Sequence, residues 1–305
     1  MRKRNEFEQI LAGIFDSASQ LLDSQLAHLT DLTKSELAAF KQAWIKADKE
    51  RKQQVISHLV ELNESNLYLD FSKVFLACLE DSDEKVRVNA IVGLEVEEDD
   101  SFVPPLIRLL EEDEVEEVRA TAATALGQFS LQAALKKLSS ERAGELYSVL
   151  LEVVEDNAEV PEVRRRALEA IAPMDSPQVK QLIEQAYRSD DVEFKASALY
   201  AMGRNCDPAW LPVLIREMNS SEAEIRYEVA EACGELGVEE AVPYLIDLAS
   251  DEDIQVREAS IRALEEIGGA KAKQVLEQLL SSPYYDVRQA AQEALTELEF
   301  PAMSG

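Results

Sequence analysis

Glycine and proline are scarce in this chain, ten of each among 305 residues, about half their usual share. An all-β sandwich or barrel needs a turn roughly every 8–12 residues, so that class is excluded. Histidine is scarcer still, with two in the whole chain. The three cysteines, Cys78, Cys206 and Cys233, are too few and too scattered for a disulfide framework and suit a reducing compartment. Basic residues are outnumbered, 31 Lys and Arg against 60 Asp and Glu, which leaves a formal charge of -29. Phosphate contacts need a Lys/Arg surplus, so general nucleic-acid and anionic-membrane binding are disfavoured. The longest apolar run, 74–79, has six residues, far short of the roughly 20 of a membrane span. The start is basic, Arg2-Lys3-Arg4, but Glu6 and Glu8 stand where a signal peptide carries its apolar stretch. A cytoplasmic protein is the expectation.

What the chain has is a repeat. Val-Arg recurs at Val86-Arg87, Val118-Arg119, Val163-Arg164, Val256-Arg257 and Val287-Arg288, with Phe194-Lys195 and Ile225-Arg226 as variants. The basic residues are spaced by 32, 45, 31, 31, 31 and 31. Three residues after each stand Ala90, Ala122, Ala167, Ala198, Val229, Ser260 and Ala291. Six after stand Gly93, Ala125, Ala170, Ala201, Ala232, Ala263 and Ala294, and seven after stand Leu94, Leu126, Ile171, Met202, Cys233, Leu264 and Leu295. This is helical spacing, with small side chains where neighbouring helices approach and larger ones filling between them. A first helix precedes each of these, and Pro105, Pro212 and Pro243 lie 14 residues before their Arg, where a first-turn proline needs no N–H partner. Asp83, Asp191, Glu222 and Asp253 lie four before the basic residue, placed to cap the second helix or to complement its dipole.

A two-helix unit of about 31 residues carrying Asp-x-x-Val-Arg-x-x-Ala, as in the stretch from 79–87 on, and Ala-Leu-Gly at 123–127 or its variant Glu-Leu-Gly at 233–237, resembles HEAT repeats in the short phycobilisome-lyase-like form. The resemblance implies an all-α fold. The fold it implies is an α-solenoid, a right-handed superhelix of about seven to eight two-helix repeats with an N-terminal helical cap, which usually serves as a binding scaffold. The expected organisation is one domain over 1–305. Residues 1–69 form the cap and a degenerate repeat in which Lys52 aligns with the Arg column. Repeats fill 70–298, and 299–305 are a tail. Thr33-x-x-Glu36 reads as a capping box. The interval of 45 exceeds 31 by 14 residues, and the extra sequence near 130–142 reads as an additional short amphipathic helix or an extended loop.

Candidate chemistry is thin. His28 and His58 are not followed by the recurring His-Glu pairs with which the related deoxyhypusine hydroxylases hold iron, so no metal, cofactor or catalytic residue is expected. Cys78 and Cys233 sit in apolar columns and read as core, whereas Cys206 follows a helix end. The Arg column reads as structural forks to Asp81, Asp113 or Asp251. The outward face of the second helices is the candidate protein-binding surface, the concave one in a solenoid of this kind. It reads Arg165, Arg166 and Glu169, then Tyr200 and Arg204, then Tyr227, Glu228 and Glu231, then Arg262, and Tyr and Arg are enriched at binding hot spots. The acid is unevenly spread. Residues 95–117 hold eleven acids against Arg108, 205–268 hold sixteen against four bases, and 162–204 hold seven of each. The expected function is a non-enzymatic scaffold for a protein or peptide partner, and the acid favours a basic one. The alternative is a bilin-lyase-like enzyme subunit or tetrapyrrole chaperone.

Overall fold

The computed structural model describes residues 2–66, 68–95 and 99–299, so the tail from Phe300 onward lies outside the described residues. These residues form eighteen α-helices and no strand. Helices α1 (Arg2–Ile14) and α2 (Asp23–Leu26) come first. Eight successive pairs follow along the chain, beginning with α3 (Lys34–Trp44) and α4 (Lys49–Ser65), α5 (Ser72–Cys78) and α6 (Glu84–Val92), and α7 (Val103–Glu112) and α8 (Glu116–Ala134). Next are α9 (Ser140–Glu155) and α10 (Pro161–Ile171), α11 (Pro177–Tyr187) and α12 (Val192–Asn205), and α13 (Leu211–Glu217) and α14 (Ala223–Leu236). The last are α15 (Val242–Leu248) and α16 (Ile254–Ile267), then α17 (Gly269–Leu279) and α18 (Tyr285–Glu299). With α1 and α2 counted, the α-solenoid has nine paired layers.

Contacts group the chain into two compact units, Met1–Val149 with Ala158–Val163, and Leu150–Asn157 with Arg164–Gly305. In the first, α4, α6 and α8 pack in series, while α5 and α7 lie against α6 and α8. In the second, α12, α14, α16 and α18 form the inner series, and α11, α13, α15 and α17 each back their own partner. The columns of the repeat are the core of these stacks. Ala90, Ala122, Ala167, Ala198, Val229 and Ala291, and Leu94, Leu126, Ile171, Met202, Cys233 and Leu264, are fully buried. Ser260, the polar exception, satisfies its hydroxyl by donating to the Arg257 carbonyl at 2.7 Å.

Local chemistry sets the helix starts. Asp83 accepts from the Val86 N–H, Asp191 from Glu193 and Phe194, and Asp253 from Gln255 and Val256. Glu222 makes no such bond, because its longer side chain does not fold back onto the first turn as Asp does. Thr33 and Glu36 form the reciprocal capping box. At the N-terminal end α1 packs on α3, the Arg51 Nε donates to the Ile14 carbonyl at 2.5 Å, and Phe15 contacts Phe40 and Trp44. Lys52 reaches Asp81 at 2.7 Å, so the α3–α4 pair joins the same charge ladder as the later repeats. The extra 14 residues do not make a helix of their own. The apolar period continues through Phe129, so α8 runs unbroken for 19 residues to Ala134, and a short turn with Lys136 at φ 58° leads into the 16-residue α9.

Helices α12 and α14 meet backbone to backbone at Gly203. A Cβ there would lie 2.7 Å from the Ala232 Cα. Alanine improves helix propensity by about 1 kcal/mol, but overpacking costs about 1–3 kcal/mol. Gly203→Ala is therefore expected to lose about 1 kcal/mol net in urea unfolding. A gain in stability would show that the two helices part freely.

Candidate functional site

The basic column is a ladder between repeats. Arg87 forks onto Asp113 at 2.7 and 2.8 Å, Arg119 onto Glu159 at 2.8 and 2.8 Å, and Arg226 onto Asp251 at 2.6 and 2.8 Å. Arg257 meets Asp286 at 2.7 Å, and Lys195 meets Glu217 at 2.6 Å. The remaining guanidinium nitrogen returns to its own turn. Arg87, Arg119, Arg226, Arg257 and Arg288 each donate to the carbonyl six residues before. One side chain thus fixes both a turn and the next repeat, which is the structural role read from the sequence.

The candidate surface lies on α10, α12, α14 and α16 of the second unit, and its members have different fates. Arg165 is not on the surface: it is 8% exposed, donates to the Ser197 Oγ at 3.2 Å and meets Glu193 at 3.1 Å. Its long side chain turns under α12, which a count of helical positions does not foresee. Arg166 pairs with Glu169 at 2.8 Å, and Arg204 with Glu235 at 3.0 Å. Arg262 donates to Glu231 at 2.6 Å and reaches the Tyr227 hydroxyl at 3.5 Å. The structure therefore brings Tyr227, Glu231 and Arg262 together, and it ties up the arginines with acids, Arg204 and Arg262 with those of α14 and Arg166 within α10.

Two side chains on this face are left without such partners. Tyr200 is 40% exposed, and no hydrogen bond is made by its hydroxyl among the described residues. Glu228 is half-buried and has neither a hydrogen bond nor an ion pair among them. Burial, then the charges of Glu169, Glu231 and Glu224, push its carboxyl up to about 7, and Arg166 offsets this only in part. Sequence reading placed Glu228 on the face but could not single it out, because its neighbours come from two helices.

The other chemistry is quiet. Burial pushes the Cys78 thiol up, and that of Cys233 up to about 12, the opposite of what a reactive thiol needs. Cys206 is the exposed C-cap of α12 at φ 54°, and burial together with Glu235 raises its thiol too. His58 meets Asp23 at 2.8 Å. Among the described residues no group of three His, Cys, Asp or Glu side chains could hold a metal, and no helix is long and apolar enough to cross a membrane.

Paired helices with an Arg-to-acid ladder define a helical-repeat protein. The sequence profile of HEAT repeats matches residues 72–145 and 211–296, and the chain belongs to that family. No curated protein matches it at a significant level. Among solved structures, yeast importin-β, Kap95p, is similar over 98% of this chain and 46% of its own, at 12% identity and TM-score 0.55. Kap95p described as acting on RanGDP is similar over 99% of this chain and 46% of its own, at 14% identity and TM-score 0.51. The CpcE–CpcF complex of phycocyanin lyase from Nostoc covers 74% of this chain and 94% of its own, at 20% identity and TM-score 0.48. The chain spans about half the length of the importin chains, and these likenesses concern the fold.

Proposed function

We propose that this chain is a non-enzymatic HEAT-repeat scaffold that binds a basic segment of a partner protein on the face formed by α10, α12, α14 and α16. The 31-residue spacing favours the short phycobilisome-lyase-like form of the repeat. Glu228 carries the reading. A half-buried carboxylate that feels the charges of Glu169 and Glu231 is unfavourable for the chain alone and becomes favourable when a Lys or Arg enters. Tyr200, exposed on the next helix, offers a rigid amphipathic surface to the stem of that cation. The arginines of the face serve as its frame, since each is already paired.

A displayed library of random peptides tests this. The protein is expected to select Lys- or Arg-bearing peptides, and both Glu228→Gln and Tyr200→Ala are expected to weaken a selected peptide by about tenfold or more, with thermal stability retained. No enrichment of basic peptides, or unchanged affinity in both variants, would overturn the assignment. Because Glu228 must ionise to attract a cation, binding is also expected to strengthen as pH rises through about 7.

A further inference from the structure

Of the rungs that join one described repeat to the next, one lacks its acid. In the turn between the two helices of a repeat, the residue six before the basic column does two things where it is aspartate. Asp81, Asp113 and Asp251 each accept the backbone N–H two residues on, at 3.0, 2.9 and 2.9 Å. Each also takes the cation of the preceding repeat, namely Lys52, Arg87 and Arg226. In three turns this residue is serine: Ser189, Ser220 and Ser282. Each serine keeps the first bond, accepting from the N–H two residues on at 3.1, 3.3 and 3.3 Å, but a hydroxyl cannot supply the second. Lys195, facing Ser220, takes Glu217 instead, and Arg257, facing Ser282, takes Asp286. Arg164, facing Ser189, has no substitute.

Arg164 donates its Nε to the Val154 carbonyl at 3.1 Å, and its guanidinium lies 5.5 Å from the centroid of the Phe194 ring. Among the described residues it meets no carboxylate. It opens into a cleft of about 290 Å³ whose walls include Leu168, Leu182, Ser189 and Phe194, all within the second unit. That volume is close to the lower end of small-molecule sites, roughly 300 Å³. Glu155 also lines the cleft, and its Oε1 takes the Gln178 amide at 3.4 Å.

We propose that this cleft is a binding site for the C-terminal carboxylate of a partner peptide ending in an apolar residue. The carboxylate would meet the two Nη groups of Arg164, whose Nε is held by the Val154 carbonyl, and the terminal side chain would lie on Leu168, Leu182 and Phe194. The guanidinium lies 5.5 Å from the Phe194 ring centroid, a separation that one residue spans when it bears both the acid and the apolar group, as at a chain end. A guanidinium fork is matched to a planar carboxylate, and stacking on Phe194 keeps it oriented. Residues 162–204, which supply most of the walls, are balanced in charge, and Glu155 is the acid among the lining residues. The site is separate from the Glu228 face and does not depend on that reading.

The test uses N-acetyl-leucine, its amide N-acetyl-leucinamide, and N-acetyl-Asp-Leu-amide as probes of the full chain, followed by NMR at the Arg164 Nε–H and the Phe194 ring. N-acetyl-leucine is expected to shift both signals saturably, with the amide weaker by about tenfold or more. Ser189→Asp, which restores the residue found in other turns, is expected to fill the fork, abolish the probe's effect and leave the fold intact. Arg164→Gln is the second variant and is expected to lose binding as well. Neither variant should change the affinity of a basic peptide selected on the Glu228 face. Three results would overturn the proposal: no saturable shift at Arg164, equal affinity for acid and amide, or undiminished binding in Ser189→Asp. Tighter binding of N-acetyl-Asp-Leu-amide than of N-acetyl-leucine would overturn the chain-end assignment.

Discussion

Replacing Asp251 by alanine is expected to lower the unfolding free energy of the second unit by about 3–5 kcal/mol. An exposed ion pair would contribute less than about 1 kcal/mol, but this pair is not exposed. The side chains of Arg226 and Asp251 are each 9% accessible, joined by two bonds of 2.6 and 2.8 Å. Removing the acid leaves a guanidinium facing a closed site with half its donors unmet. It also removes the acceptor for the Asp253 N–H, at 2.9 Å, and so loosens the turn that starts α16. Urea midpoints at constant m-value measure the loss, and a fall below about 1 kcal/mol would reduce the fork to an ordinary surface pair.

The same fork sets a pH dependence. Burial alone would raise the Asp251 carboxyl, but the bonds from Arg226 and from the Asp253 N–H outweigh it, and the group titrates below its ordinary value. An acid depressed in this way stabilises the fold fully above its unfolded value, about 3.9. That contribution disappears as pH falls through the folded value. The difference in stability between the parent and Asp251→Asn should therefore be constant from pH 5 to 8 and shrink below about 4.

Glu228→Gln is expected to work in the other direction and stabilise the second unit at pH 8 by about 1–2 kcal/mol. A carboxyl pushed up to about 7 holds its proton more tightly folded than unfolded. It supports the fold below the unfolded value, about 4.3, and the support is lost as pH rises through 7. Glutamine keeps the shape without the charge, so the variant should gain on the parent progressively between pH 5 and 8. The magnitude is discounted because water reaches a half-buried group. A stability difference that does not change with pH would remove Glu228 as a strained acid. A stabilising substitution that also abolishes peptide binding is the pattern of a residue retained for function at a cost in stability.

How much of this was legible in the chain depends on range. The pairs of helices, the small and apolar columns, the aspartate caps and the Thr33–Glu36 box are set by residues within a few positions of one another. Spacing alone revealed them, and it put Cys78 and Cys233 in the core, where both are buried. Reading failed where a local pattern had two continuations. The amphipathic stretch near 130–142 lengthens α8 to Ala134 because nothing before that point breaks the helix.

The sequence by itself determined the HEAT-repeat solenoid, because a 31-residue period can bury its apolar columns only by stacking like on like. Tertiary structure alone decided which charge meets which. Arg165 turns inward to Ser197, 32 residues away, and Asp286 replaces the acid missing at Ser282. Arg164 is left facing Ser189 across an open cleft, and Glu228 is left among acids from two helices. The physical reason is that these partners sit in neighbouring repeats, and the length and direction of each side chain select among acids that look equivalent along the chain.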